Sequence, residues 1–109
     1  MLALKPGVTL LGLAPQLSVA LIAAHVCYSK RDTPCVITAG NDGVHSDTSE
    51  HYAGRALDLR TNNLPNPSVD GPAIATELSE ALGRDYHVLF EGDHIHLAYK
   101  PKRPTWVVT

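Results

Sequence analysis

Proline and glycine divide this chain into short pieces, and that punctuation limits its fold more than any other feature. Eight of each occur in 109 residues. Pro15 suits the first position of a helix, where a missing N–H costs nothing and φ is already set. Pro34 stops the same helix, since it can neither donate to the ladder nor fit behind the preceding turn. Between them, residues 15–30 carry Leu17, Leu21, Ala24 and Tyr28 on one stripe, broadened by Val19, Ile22 and Val26. A mostly buried helix is expected there. Lys30 and Arg31 complement the negative end of its dipole. The apolar run at 17–24 is far shorter than the roughly 20 residues a membrane span needs. We read it as mature structure rather than a signal peptide, with synthesis in the cytoplasm.

The later pieces alternate between strand and helix signals. CVITA (35–39) is short and rich in β-branched residues, which fits a strand. Residues 40–50 read as a polar loop. ALDL (56–59) reads as a second strand, and 61–71 as a loop rich in Pro and Asn. A second helix is expected from about Pro72 to Leu82, capped by Asp70, stopped by Gly83 and burying Ile74, Leu78 and Leu82. HVLFE (87–91) and HIHLAY (94–99) pair around the turn Glu91-Gly92-Asp93. The tail from Lys100, with Pro101 and Pro104, is peripheral. The order α-β-β-α-β-β implies an α+β fold, a small antiparallel sheet with two main helices, as a single domain over residues 1–109.

Composition removes several function classes. A net charge of -2 argues against a nucleic-acid binder, which needs concentrated basic surface. An apolar fraction of 44% is too high for a disordered chain. Cys27 and Cys35 match no zinc knuckle or redox pair and read as small semi-buried thiols, with a disulfide between them sterically open. Six histidines are the compositional oddity.

Two of those histidines bear on chemistry. His94 and His96 are two apart on an expected strand, so both project from one face. On a plain solvent-facing sheet such a pair would be unremarkable. Leu57 and Leu59 flank Asp58, which sends the carboxylate to the face opposite the leucines, and Gly54 and Ala56 allow close approach. A carboxylate and two imidazoles give three ligands and leave a position open for water, the pattern of catalytic rather than structural zinc. Glu91 adds a proton acceptor nearby. The same donors also describe the facial triad of non-haem iron enzymes, which usually need a larger barrel. His25 and His87 are expected to pack in helix and strand interiors.

Ser49, His51, Gly54, Ala56 and Asp58 together match SxHxxGxAxD, and His94-Ile95-His96 follows about forty residues later. In these positions, over about Val36 to Tyr99, the chain resembles the zinc D-alanyl-D-alanine carboxypeptidases and L-alanyl-D-glutamate endopeptidases, with the related hedgehog domain. The resemblance implies a hedgehog/DD-peptidase-like fold and zinc held by His51, Asp58 and His96. It implies catalytic roles for Glu91 as general base and for His94 beside the nucleophilic water; in subfamilies with ExxH, His94 would be the ligand instead. Ser49, Tyr52, His45 and Arg55 are candidates for steadying a metal ligand or binding substrate. Many relatives carry an Arg in a stretch corresponding to Thr38–Gly43, which here has none; His45, Arg55 or Arg60 are candidate substitutes. That departure favours an endopeptidase over a carboxypeptidase, because a terminal carboxylate needs a cation. The expected function is hydrolysis of peptidoglycan stem peptides at the cell wall, as a phage or prophage lysin or a tail-associated module of a virion. The alternative is an inactive, metal-containing binding module for cell wall or a protein partner.

Overall fold

Short alternating segments of this chain become strands, and the longer apolar segments pack across them as helices. The computed structural model describes residues 1–40 and 55–101. In chain order the elements are β1 (Leu2–Leu4), α1 (Gln16–Ser29), β2 (Cys35–Ala39), β3 (Ala56–Arg60), α2 (Pro67–Leu82), β4 (Tyr86–Phe90) and β5 (His94–Tyr99). The strands form one five-stranded sheet in the order β1-β2-β3-β5-β4. β2, β3, β5 and β4 pair antiparallel, whereas β1 pairs parallel to β2. The protein is therefore α+β with a mixed sheet and two helices.

The parallel edge corrects the expectation of a purely antiparallel sheet. A three-residue strand offers no alternation to read. Its partner lies across the α1 crossover, as parallel pairing requires. Cys35 N donates to Met1 O at 2.8 Å and Lys5 N to Ile37 O at 2.9 Å, so the ladder brackets β1 at both ends.

Both helices cover one face of the sheet. Leu17, Leu21, Ala24 and Tyr28 of α1 and Ile74 and Leu78 of α2 meet Ile37, Leu57, Leu59, Ile95 and Leu97 in one buried cluster. The second α1 stripe behaves otherwise: Val19 is 59% exposed, Ile22 66% and Val26 49%. At 100° per residue those three fall on the far side of the helix, and a segment apolar all round does not reveal which stripe turns inward. No helix among the described residues is long and apolar enough to cross a membrane.

The second helix starts five residues before the expected Pro72. Pro67 takes the first helical position, and Asn66, rather than Asp70, precedes it. Asp70 instead reaches back, its carboxylate accepting the Asn66 N–H at 2.9 Å. Pro72 then lies inside the helix. It withholds only the bond to the Ser68 carbonyl, near an end where partners are already scarce. The early start brings Gly71 against β4, where an added Cβ would run into the Phe90 ring. Alanine raises helix propensity by up to about 1 kcal/mol, but overpacking typically costs about 1–3. Gly71→Ala is expected to destabilise the protein by about 1–2 kcal/mol in urea denaturation.

An ion pair joins the helices. The Arg31 guanidinium donates to both Glu77 oxygens, at 3.2 and 2.7 Å, and to the Cys27 carbonyl at 3.0 Å. The hydrogen bond from Arg31 holds the Glu77 carboxyl below its ordinary range, against partial burial that pushes it up. A carboxyl depressed in the folded state stabilises above its unfolded pKa of about 4.3, and that contribution fades as pH falls through the lower folded value. The Glu77 side chain is 36% exposed, so solvent screens the pair. Glu77→Gln should cost only about 0.5–1 kcal/mol at neutral pH, and the gap from wild type should close on acidification.

Cys27 and Cys35 are buried and free. Burial, the largest influence on each, raises the Cys27 thiol and pushes Cys35 up to about 12, so both stay protonated. His87 is exposed, which corrects its expected packing role: it alternates with Tyr86 and Val88, the β4 residues that face the helices. His25 is half-buried, and its Nδ1 has no hydrogen-bond partner among the described residues.

Candidate functional site

The face of the sheet opposite the helices carries the chemistry, and strand alternation puts it there. Leu57 and Leu59 are fully buried, so Asp58 and Arg60 turn outward; Ile95 and Leu97 do the same for His94 and His96. Register finishes the arrangement, since Asp58 lies directly across from His96 and Arg60 across from His94. Both strands are interior to the sheet, where pairing on either side fixes them. Tyr28 pins the end of β3 from the core, its hydroxyl donating to the Arg60 carbonyl at 2.6 Å.

The side chains converge as the register dictates. His96 Nδ1 lies 3.0 Å from Asp58 Oδ1. An ionised carboxylate can only accept, so the imidazole donates from that nitrogen. His94 Nε2 stands 4.0 Å from the same Asp58 oxygen and 3.2 Å from Glu91 Oε1, and His94 Nδ1 is 2.6 Å from Asp93 Oδ1. Partial burial lowers the His94 pKa, but the hydrogen bond that the ring donates to Asp93 and the charges of Asp58, Asp93 and Glu91 outweigh it and raise it. The β4–β5 turn supports this geometry: Glu91 N donates to His94 O at 2.8 Å, and Gly92 takes φ 91°, a left-handed conformation that suits glycine.

A cleft of about 310 Å³ opens beside this cluster, lined in part by Asp58, His94, Lys5, Arg60 and Asn62. A larger groove of about 410 Å³ runs between α2 and β4, but it gathers no histidine and only one acidic residue, Glu80. Chemistry rather than volume therefore selects the first.

The structure brings together Asp58, His94, His96 and Glu91 of the expected set. Arg55 stands exposed just before β3, with its carbonyl accepting the Tyr99 N–H at 2.8 Å, and does not line the cleft. His45, Ser49, His51 and Tyr52 lie outside the described residues. Asp93 and Lys5 were not singled out from the sequence. Asp93 could have been found from its place next to His94; Lys5 gave no signal, because the strand it follows was not legible.

The donor types suit a first-row divalent metal. Two ligands of a tetrahedral zinc, with bonds of about 2.0–2.2 Å, sit roughly 3.4 Å apart; Asp58 and His96 face each other at 3.0 Å, and His96 Nδ1 would bind a metal only by giving up the proton it donates to Asp58. Among the described residues no group of three or more His, Cys, Asp or Glu side chains is placed to hold an ion. The described part of the site thus supplies a facing pair, and the third ligand in the expected set, His51, lies outside it. Comparison with models of protein families, with curated proteins and with solved structures finds no match to this chain.

Proposed function

We propose that the protein is a zinc-dependent hydrolase of peptidoglycan stem peptides, acting as an endopeptidase on a hedgehog/DD-peptidase-like fold. The observation that carries this reading is the meeting of Asp58, His96, His94 and Glu91 on one open face beside a cleft. Asp58 and His96, with His51, would hold the metal. When bound, zinc supplies an activated water and a Lewis acid for the carbonyl oxygen. His96 is preferred to His94 as ligand because it is the nearer to Asp58, while His94 is already engaged by Asp93 and Glu91.

The chain's own groups then handle protons. Glu91 Oε1 faces His94 Nε2 at 3.2 Å, so a proton taken up by either is shared between them. The neighbouring carboxylates favour the imidazolium form of His94, which suits it to donate to a developing oxyanion or a leaving amine. Asp93 fixes the ring from the other nitrogen, although it is 88% exposed and its pair with His94 is correspondingly weak. This activity fits a phage or prophage lysin or a tail-associated module working at the cell wall.

Mass spectrometry of muropeptides incubated with the protein, with and without a chelator, tests the reading. Chelator-sensitive cleavage is expected, and the fragment masses identify the bond. Intact muropeptides from several wall chemistries, after exposure to folded and zinc-loaded protein, would overturn it in favour of a binding module.

A further inference from the structure

We infer that the free edge of β4 and the outer flank of α2 form a docking groove for an extended peptide, which adds to the sheet as a further strand with a basic residue set against Glu80. The ladder shows which backbone groups are on offer. Glu91 N donates to His94 O and Lys100 N to Asp85 O, so the bonds that tie β4 to β5 fall on residues 85, 87, 89 and 91. Tyr86, Val88 and Phe90 therefore turn their N–H and C=O groups to the outer edge. Tyr86 N reaches back to Gly83 O, while the Val88 and Phe90 N–H groups have no partner among the described residues. The two edges of the sheet are unlike. β1 has three residues and runs into Lys5 and Pro6, a charge and a ring that blunt an edge. β4 has five, pairs with β5 without a bulge and carries neither Lys nor Pro.

The surroundings decide what fits there. α2 lies over β4 rather than β5, with Gly71 against the Phe90 ring. A second copy pairing its own β4 at this edge would bring its α2 over the added strand, only about 5 Å away. Packed helices need about 8–10 Å. A peptide strand that carries no helix meets no such clash. It lies beside Val88 and Phe90 and turns alternate side chains to Pro72, Ala75, Thr76 and Ser79, a small, uncharged flank. Among the described residues lining this groove of about 410 Å³, Glu80 is the one charge. α2 ends at Leu82, shortly before β4 starts at Tyr86, and Gly71 meets Phe90, so Glu80 stands at the Tyr86 end. Antiparallel pairing brings the C-terminal end of the peptide there. The fitting ligand is therefore small and aliphatic where it faces Pro72 and Thr76, and Lys or Arg where it faces Glu80.

The histidine-bearing face takes no part, so the hydrolase reading can fail without touching this one. The full chain is titrated by NMR with acetyl-Val-Thr-Val-Thr-Lys-amide, whose valines and lysine face the groove, and the Val88 and Phe90 amide resonances are followed. Saturation in the range of about 0.1–1 mM is expected for so short a strand. Glutamate in place of the lysine should weaken binding roughly three- to tenfold, and Glu80→Lys should reverse that order. Glu80 is exposed, so the substitution keeps the fold. N-methylation of the central valine, whose N–H points at the Val88 carbonyl, should weaken binding about tenfold. N-methylation of the first threonine, whose N–H points away from β4, should change little. Undisturbed Val88 and Phe90 resonances at millimolar peptide, equal effects of the two N-methylations, or an unchanged charge order in Glu80→Lys would overturn the groove. Shifts of Val88 and Phe90 that grow with protein concentration alone would overturn it in favour of a second copy.

Discussion

His94→Ala is expected to lower the rate of stem-peptide cleavage by about 10²–10⁴-fold, the range that a positioned proton-transfer group contributes. The side chain is about one-third exposed and lies outside the hydrophobic cluster, so its loss should leave folding intact. The informative comparison is with Asp58→Ala. Both variants should lose activity, but only Asp58→Ala should also lose bound zinc, measured by atomic absorption on dialysed protein. Should His94→Ala also lose the metal, while His96→Ala keeps it, the two histidines exchange roles. Glu91→Gln belongs in the same series. Its carboxylate faces His94 at 3.2 Å, and removing its charge should depress kcat with little effect on KM, as expected for a group that acts in the transition state.

Tyr28 should produce the largest effect on stability. Its side chain is fully buried in α1, and its hydroxyl donates to the Arg60 carbonyl at 2.6 Å. Tyr28→Ala removes the ring from the centre of the cluster and should cost about 3–5 kcal/mol. That is a large share of the roughly 5–15 kcal/mol that stabilises a domain. Tyr28→Phe keeps the ring but strands the carbonyl, at about 1–2 kcal/mol. Chemical denaturation with a shared m-value separates the two. Because the carbonyl belongs to Arg60, at the end of β3, Tyr28→Phe should leave the Asp58–His96 pair in place. Equal stability of Tyr28→Phe and wild type would mean that the hydroxyl bond adds nothing net.

Much of the fold was legible because its elements obey simple periods. The Leu57–Asp58–Leu59 alternation and the His94–Ile95–His96 alternation each state which residues turn inward, and the structure agrees at every one of those positions. What they could not state was register. That Asp58 faces His96 rather than His94 depends on how β3 and β5 align, and no local pattern encodes this. β1 was missed because Leu2–Leu4 is too short to show a period, and its partner comes after a helix. The start of α2 was missed because two prolines compete for the first helical position. Pro67 and Pro72 each look like a start, and only the contact between Gly71 and Phe90 shows which one the tertiary structure uses. On α1 the stripes Leu17/Leu21 and Val19/Ile22 are equally apolar, so composition alone could not choose between them.

The sheet order divides the candidate site between strands of unequal durability. Asp58, His94 and His96 are borne by the two strands with neighbours on both sides, whereas Lys5 extends a three-residue strand at the rim. Interior strands open only with the whole domain, but a short rim strand can fray by itself. The Asp58–His96–His94 cluster is thereby anchored in the most durable part of the molecule, and one wall of the cleft beside it in a part that loosens first. Changes to the first few residues would reshape that wall while the Asp58–His96 pair keeps its geometry.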